Sequence, residues 1–356
     1  MIARIQEFDS PMPSRVIGQD GKPNFGRYCH PFLEVNLDTV ALAPPIPGFP
    51  KSVAYGRFRL KEWQHFAIIT PSIFISFALV DSKFAQLAWC QVIDRRTGRK
   101  LNYERRGIYP GMHIARELSN DRSILELRNF SIVIDNHLGS GGHTILVDIK
   151  GDSKQPNIRA QLRCEHDLSI IEPMVVVLPV SGGRAMYSHK VPLPVAGWLS
   201  VGEEEFALSA GNGIAIVDIH KAHYPRHTWW HWATCAGYDS HGRLLALNLT
   251  HNVVENDFEH NENGFWENGR LLPLGPARFV FDAKDPLVPW RVHTLDGAVD
   301  LSFIPAGFRH ENVRTGFVNS KFHQCYGTYS GIVRTEHDVI QLESFFGLAE
   351  IHDSKW

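Results

Sequence analysis

Few of the features that announce a common enzyme or a membrane protein occur in this 356-residue sequence. Its five cysteines (Cys29, Cys90, Cys164, Cys235 and Cys325) are scattered and never spaced as CxxC, which excludes a zinc ribbon and offers no disulfide framework. A reduced, cytoplasmic compartment is the simplest expectation. The longest apolar run, AIITPSIFISFALV, is broken by Pro71 and falls short of the roughly 20 residues a spanning helix needs. The opening segment MIARIQEFDSPMPSR has no apolar signal-peptide core. No charge of one sign predominates: 36 Lys and Arg stand against 38 Asp and Glu, leaving −2. No integral membrane segment and no nucleic-acid partner are therefore expected, since a phosphate backbone needs a basic face. GxSxG, GxxxxGK[ST], a GxGxxG after a strand and HExxH are all missing, which argues against nucleotide-dependent catalysis and zinc proteolysis. Neither a cofactor nor a metal is implied.

Helical periodicity is almost absent too. Short runs rich in Val, Ile, Phe and Trp recur instead, among them SILELRNFSIVID over 123–135, HTILVDI over 143–149 and MVVVL over 174–178. Turn signals punctuate them, as in Arg96-Thr-Gly-Arg, Ser240-His-Gly-Arg and Glu267-Asn-Gly-Arg. This spacing predicts an all-β protein of antiparallel strands. Pro and Gly cluster over 179–202, which reads as a crossover between halves. Trp63-Gln-His-Phe-Ala and Trp230-His-Trp-Ala each open a strand followed by a Gly hairpin, so the halves look related. Two consecutive β-barrel domains, 1–185 and 186–356, account for the length.

Histidine and tryptophan stand out, at 19 and 9 residues. Seven of the histidines fall between His220 and His260. His223, His227 and His231 are spaced as helical metal ligands would be, but Pro225 and the strand formers of Thr228–Trp232 oppose a helix. On a strand, Thr228, Trp230, Trp232 and Thr234 share one side and Trp229, His231 and Cys235 the other. The metal reading is therefore set aside for aromatic packing with histidines at its rim. Asn248 points away from the face of Leu245, Leu247 and Leu249. His260-Asn-Glu-Asn sets the Glu262 carboxylate between Asn261 and Asn263, a group suited to acid–base work if desolvated. The alternative is a polar loop bonding its own backbone. Tyr326, Thr328 and Ser330 alternate along a later strand. The chain end, with Glu350, His352 and Trp356, is expected to dock back onto its domain.

Tyr224-Pro-Arg-His-Thr-Trp-Trp-His-Trp-Ala, Leu247-Asn-Leu, His260-Asn-Glu-Asn, Phe265-Trp-Glu-Asn-Gly-Arg-Leu, Pro289-Trp and Gly347-Leu-Ala-Glu-Ile-His-Asp together resemble an uncharacterised bacterial family known only as a domain of unknown function. More remotely, the aromatic strand, Gly turn and Asn-Gly hairpin resemble the two-domain lipocalin-like group of AttH-type proteins, carotenoid hydratases and related cyclases. That resemblance implies two lipocalin-like antiparallel barrels with a ligand cleft. It carries no hydratase acid onto a residue of this chain.

Three functions are compatible with these readings. One is an enzyme that hydrates, isomerises or cyclises an apolar small molecule of the lipid or terpenoid class without a cofactor. Glu262 and His227 would be its acid–base pair and Asn248 and Asn263 would orient them. Trp230, Trp232, Trp266 and Tyr326 would line the ligand, as aromatic groups commonly do. A second is a non-catalytic carrier of such a ligand. A third is a carbohydrate binder, which would need an exposed row of Trp229, Trp232 and Trp266.

Overall fold

The computed structural model describes residues 12–315 and 318–355, so Trp356 and the opening segment through Pro11 lie outside the described residues. The first half contains β1 (Gly26–Tyr28), the short helix α1 (Val53–Arg59), β2 (Lys61–Ile69), β3 (Ile73–Asp81), β4 (Gln86–Asp94), β5 (Lys100–Gly107) and β6 (Asp121–Leu127). It continues through β7 (Phe130–His137), β8 (Gly142–Ile149), β9 (Ile158–Glu165), β10 (Met174–Val180), β11 (Arg184–Val201), β12 (Glu204–Leu208) and β13 (Ile214–Ala222). Then come β14 (His227–Tyr238), β15 (Leu244–His251), β16 (Gly264–Glu267), β17 (Arg270–Pro273) and β18 (Ala277–Val280). β19 (Trp290–Thr294), β20 (Val299–Thr315), β21 (Val318–Arg334) and β22 (Val339–Lys355) complete the chain. Among the described residues no helix is long and apolar enough to cross a membrane.

Two antiparallel sheets result. The main path of the first runs β5-β4-β3-β2-β13-β11-β9-β8-β7-β6, and the second runs β17-β16-β15-β14-β22-β21-β20-β19-β18. Each curls on itself, β6 returning against β3 and β18 against β15. Two consecutive curled antiparallel domains are thus present, all-β as the strand pattern implied and lipocalin-like as the resemblance implied. Both share one plan: the first long strand of the domain pairs with its last, β2 with β13 and β14 with β22.

Contacts divide the described residues into 12–177 with Ala185–His223, and Leu178–Arg184 with 224–355. The change of domain therefore falls after His223 rather than after residue 185. The reason is hydrogen bonding: β11 pairs with β13 and β9, and β13 pairs with β2, so the segment read as a crossover belongs to the first sheet. Pro192 and Pro194 fit in β11 because they lie just before it changes partner from β13 to β9 at Val195.

Alternation drives each sheet to bury one apolar face. In the second domain Leu245, Leu247, Leu249, Phe265, Trp290 and Phe303 form that core, each such side chain contributing about 1.5–3 kcal/mol on burial. The turn Glu267-Asn-Gly-Arg closes β16 onto β17 with Asn268 and Gly269 both at positive φ, the conformation for which an Asn-Gly pair is suited. Gly347 allows β22 to approach β14 closely, since a Cβ there would stand 2.1 Å from the Thr234 carbonyl oxygen.

Candidate functional site

The opposite face of the second sheet is buried as well, but polar and aromatic. Register partners on antiparallel strands point to the same side, so this face can be read in rows across β21, β22, β14 and β15. One row is Phe322, His352 and Trp230; the next is Gln324, Glu350, Trp232 and Thr250; the third is Tyr326, Leu348, Thr234 and Asn248. Trp266 follows on β16, opposite Ala246. The even-numbered residues of β14 face this side, and of the odd-numbered ones on the other side Ala233 and Cys235 join the apolar core.

Glu350 is at the centre of the grid. Its Oε1 accepts from Trp230 Nε1 at 2.7 Å and its Oε2 from Gln324 Nε2 at 3.1 Å. The Trp230 indole stacks on the His352 imidazole, with 3.7 Å between centroids and 6° between planes. Tyr224 lies on the indole at 5.7 Å, and Phe322 meets His352 edge-on at 5.8 Å. His352 Nε2 lies 2.8 Å from Ser354 Oγ, which donates in turn to Ser320 Oγ at 2.7 Å. Burial pushes the His352 imidazole down to about 3, so the ring stays neutral.

On the other side of Trp232 stands a second acid. Trp232 Nε1 donates to Asn248 Oδ1 at 2.7 Å, and Asn248 Nδ2 to the Glu262 carbonyl at 2.6 Å. Thr250 Oγ1 lies 2.8 Å from Glu262 Oε1. Asn263 fixes the loop, accepting from the Thr250 amide at 2.7 Å and donating to the Gly275 carbonyl at 2.9 Å. Glu350 and Thr250 flank Trp232 in one row, two strand spacings or about 10 Å apart across the sheet. Tyr326 stacks near Phe346 at 6.4 Å, and burial raises its hydroxyl pKa.

Hydrogen bonds link Trp232, Asn248 and Glu262, with Asn263 on Thr250 beside them, and Trp230, Trp266 and Tyr326 lie on the same sheet face. It does not bring His227 to Glu262. His227 is exposed at the end of β14, on the other side of the strand, with Nε2 3.2 Å from Asp353 Oδ1. The expected acid–base pair is corrected on that ground. Trp229 also faces away from Trp232, and Trp232 and Trp266 are buried, at 5% and 2% exposure. The exposed tryptophan row of a carbohydrate binder is therefore absent. His223 belongs to the first domain, where its Nε2 lies 3.2 Å from the Gly56 carbonyl oxygen. Among the described residues no three His, Cys, Asp or Glu side chains gather as a metal set. Glu350, His352, Gln324 and Phe322 are the members that sequence reasoning left unassigned. The signal for two of them was the acid-x-His spacing of Glu350-Ile-His352 at a chain end rich in functional residue types.

Residues 6–356 match the family model described as a domain of unknown function, DUF2804. The chain belongs to that family. No curated protein sequence matches this DUF2804 chain significantly. Its fold is similar to that of CghA, in a structure with Sch210972, at a TM-score of 0.56 and 10% identity over 94% of this chain and 99% of CghA. An AttH-like protein from Nitrosomonas europaea gives 0.48 at 15% identity, covering 87% of this chain and 98% of that one. Kievitone hydratase from Nectria haematococca gives 0.44 at 14% identity, covering 82% and 88%. These neighbours are the two-domain lipocalin-like group, and the CghA likeness carries the fold assignment.

Proposed function

We propose that this DUF2804 protein binds a largely apolar small molecule, of the lipid or terpenoid class, on the Trp230–Trp232 face of its second domain. There it moves a proton to or from that molecule, in a hydration, isomerisation or cyclisation. The observation that carries this reading is the buried Glu350 carboxyl group, set among aromatic rings with an N–H donor on each oxygen. Burying a carboxylate costs several kcal/mol, and carriage of an apolar ligand gives no return on that cost. Indole and amide N–H groups only donate, so Glu350 is presented as a proton acceptor. Glu262, whose Oε1 accepts from the Thr250 hydroxyl, is the proton donor in this reading.

For hydration the balance is simple. The Glu262 proton bonds to one alkene carbon as the π bond opens. A water oxygen bonds to the other carbon, and the proton that water sheds passes to Glu350. In isomerisation the proton taken by Glu350 comes from carbon instead. Aromatic faces beside the reacting carbons stabilise the cationic stage. CghA, similar in fold, is known in a structure with Sch210972, in keeping with ligand binding by this architecture.

Native mass spectrometry of the protein purified from the cells that produce it tests the binding half. An apolar molecule should stay bound to the wild type and be lost from Trp232→Leu with circular dichroism unchanged. Empty wild-type protein contradicts the reading. A carrier would retain the molecule equally well, and only proton transfer separates the two.

A further inference from the structure

The first domain repeats the arrangement around Glu350. Trp63 is the register partner of His220, as Trp230 is of His352. The Trp63 indole stacks on His220 with 4.5 Å between centroids and 10° between planes, and its Nε1 donates to Asp218 Oδ2 at 3.3 Å. Asp218-Ile-His220 has the spacing of Glu350-Ile-His352. On the next strand Lys190 is the register partner of Asp218 and donates to its Oδ1 at 2.5 Å, which is the place and the task of Gln324. An indole N–H on one carboxyl oxygen, a side-chain donor on the other and an imidazole under the indole are thus built twice.

Besides Asp218 in the place of Glu350, three positions differ, all toward greater polarity. His65 stands where Trp232 stands, Lys190 where Gln324 does, and Ser188 where Phe322 does. The ion pair of Lys190 with Asp218 makes this copy charge-balanced. Ser188, opposite His220, is fully buried, and its Oγ has no hydrogen-bond partner among the described residues. A buried hydroxyl without a partner is destabilising, and a buried ion pair seldom stabilises more than apolar packing would. Stability alone therefore gives no reason for this set, and ligand recognition does.

We propose that Trp63, Asp218, His220, Lys190 and Ser188 form a second binding site, in the first domain, for an uncharged group with adjacent hydrogen-bond donor and acceptor, of the kind a primary amide presents. Its carbonyl oxygen accepts from Ser188 Oγ, its N–H donates to Asp218, and its apolar remainder lies on the Trp63 indole. The proposal rests on reading the matching set around Glu350 as a ligand site. It differs in taking a polar head where that site takes an apolar body.

The test uses the full chain labelled with fluorotryptophan and hexanamide as the probe. The fluorine resonances of Trp63 and Trp230 are assigned with Trp63→Phe and Trp230→Phe. Hexanamide should shift the Trp63 resonance saturably. Ser188→Ala, which removes a hydroxyl with no partner among the described residues, should keep the spectrum and weaken binding about tenfold, the worth of one hydrogen bond. Glu350→Gln should leave the affinity unchanged. No saturable Trp63 shift, or equal affinity in Ser188→Ala, overturns the proposal. A Trp63 response that persists while no Glu350-dependent chemistry is found overturns the second-domain reading alone.

Discussion

The indole of Trp230 lies 3.7 Å from the imidazole of His352 and 6° from parallel, while its Nε1 donates to Glu350. One side chain of β14 thereby holds two of β22. Trp230→Phe keeps the ring over His352 and removes the donor. Glu350 then loses one of its N–H partners, and stability should fall by about 1–3 kcal/mol, read from urea denaturation. Unchanged stability would mean that the indole N–H does not hold the carboxylate.

Acid should weaken the protein through His352. Its imidazole is lowered by burial to about 3, against 6.5 for an unperturbed histidine. Between those values the unfolded chain binds a proton that the folded one refuses, so stability is present above about pH 6.5 and is lost as pH falls toward about 3. His143 in the first domain, lowered by burial to about 3, acts the same way. His352→Phe should therefore lose less unfolding free energy than the wild type on going from about pH 7 to about pH 5. Equal losses would show that His352 is already charged or exposed.

Thiol chemistry should single out one cysteine. Cys29 is exposed and the other four are buried. Burial pushes the Cys90 and Cys325 thiols up to about 12 and those of Cys164 and Cys235 further still. The thiolate is the reactive form, so a disulfide reagent at neutral pH should label Cys29 quickly and the rest only in denaturant. Rapid labelling of Cys235 in native protein would contradict the packing of β14.

Gly347→Ala tests how tightly β14 and β22 must approach. Its Cβ would meet the Thr234 carbonyl oxygen at 2.1 Å, a contact only backbone movement relieves. A loss of about 1–3 kcal/mol is expected, together with weaker Glu350 hydrogen bonds as β22 shifts. A wild-type melting temperature would show that the strands have slack there.

Much of the site was legible because a strand's period of 2 assigns faces without further knowledge. Trp230, Trp232 and Asn248 fall on their side of the sheet by counting alone. Register across long separations is another matter: Trp230 and Glu350 are 120 residues apart, and nothing local in β14 says that β22 lies beside it. His227 was drawn into the site by nearness in sequence to Trp230, but odd numbering on β14 turns it away. The prolines of β11 read as a linker because a strand tolerates proline only where its nitrogen owes no ladder hydrogen bond, which a sequence does not display. The Trp63 and Trp230 repeat was visible, while the acid-x-His motifs that complete it became meaningful only once β13 and β22 were seen in equivalent places.

Whether Glu350 moves a proton is the central claim, and solvent deuterium tests it most directly. The apolar molecule that co-purifies with the protein is returned to it in heavy water, and carbon-bound deuterium is measured by mass spectrometry and NMR. Wild type should place deuterium on carbon, while Glu350→Gln, still folded and still binding, should return the molecule unlabelled. Equal labelling by both proteins, or no labelling by the wild type, would contradict the account.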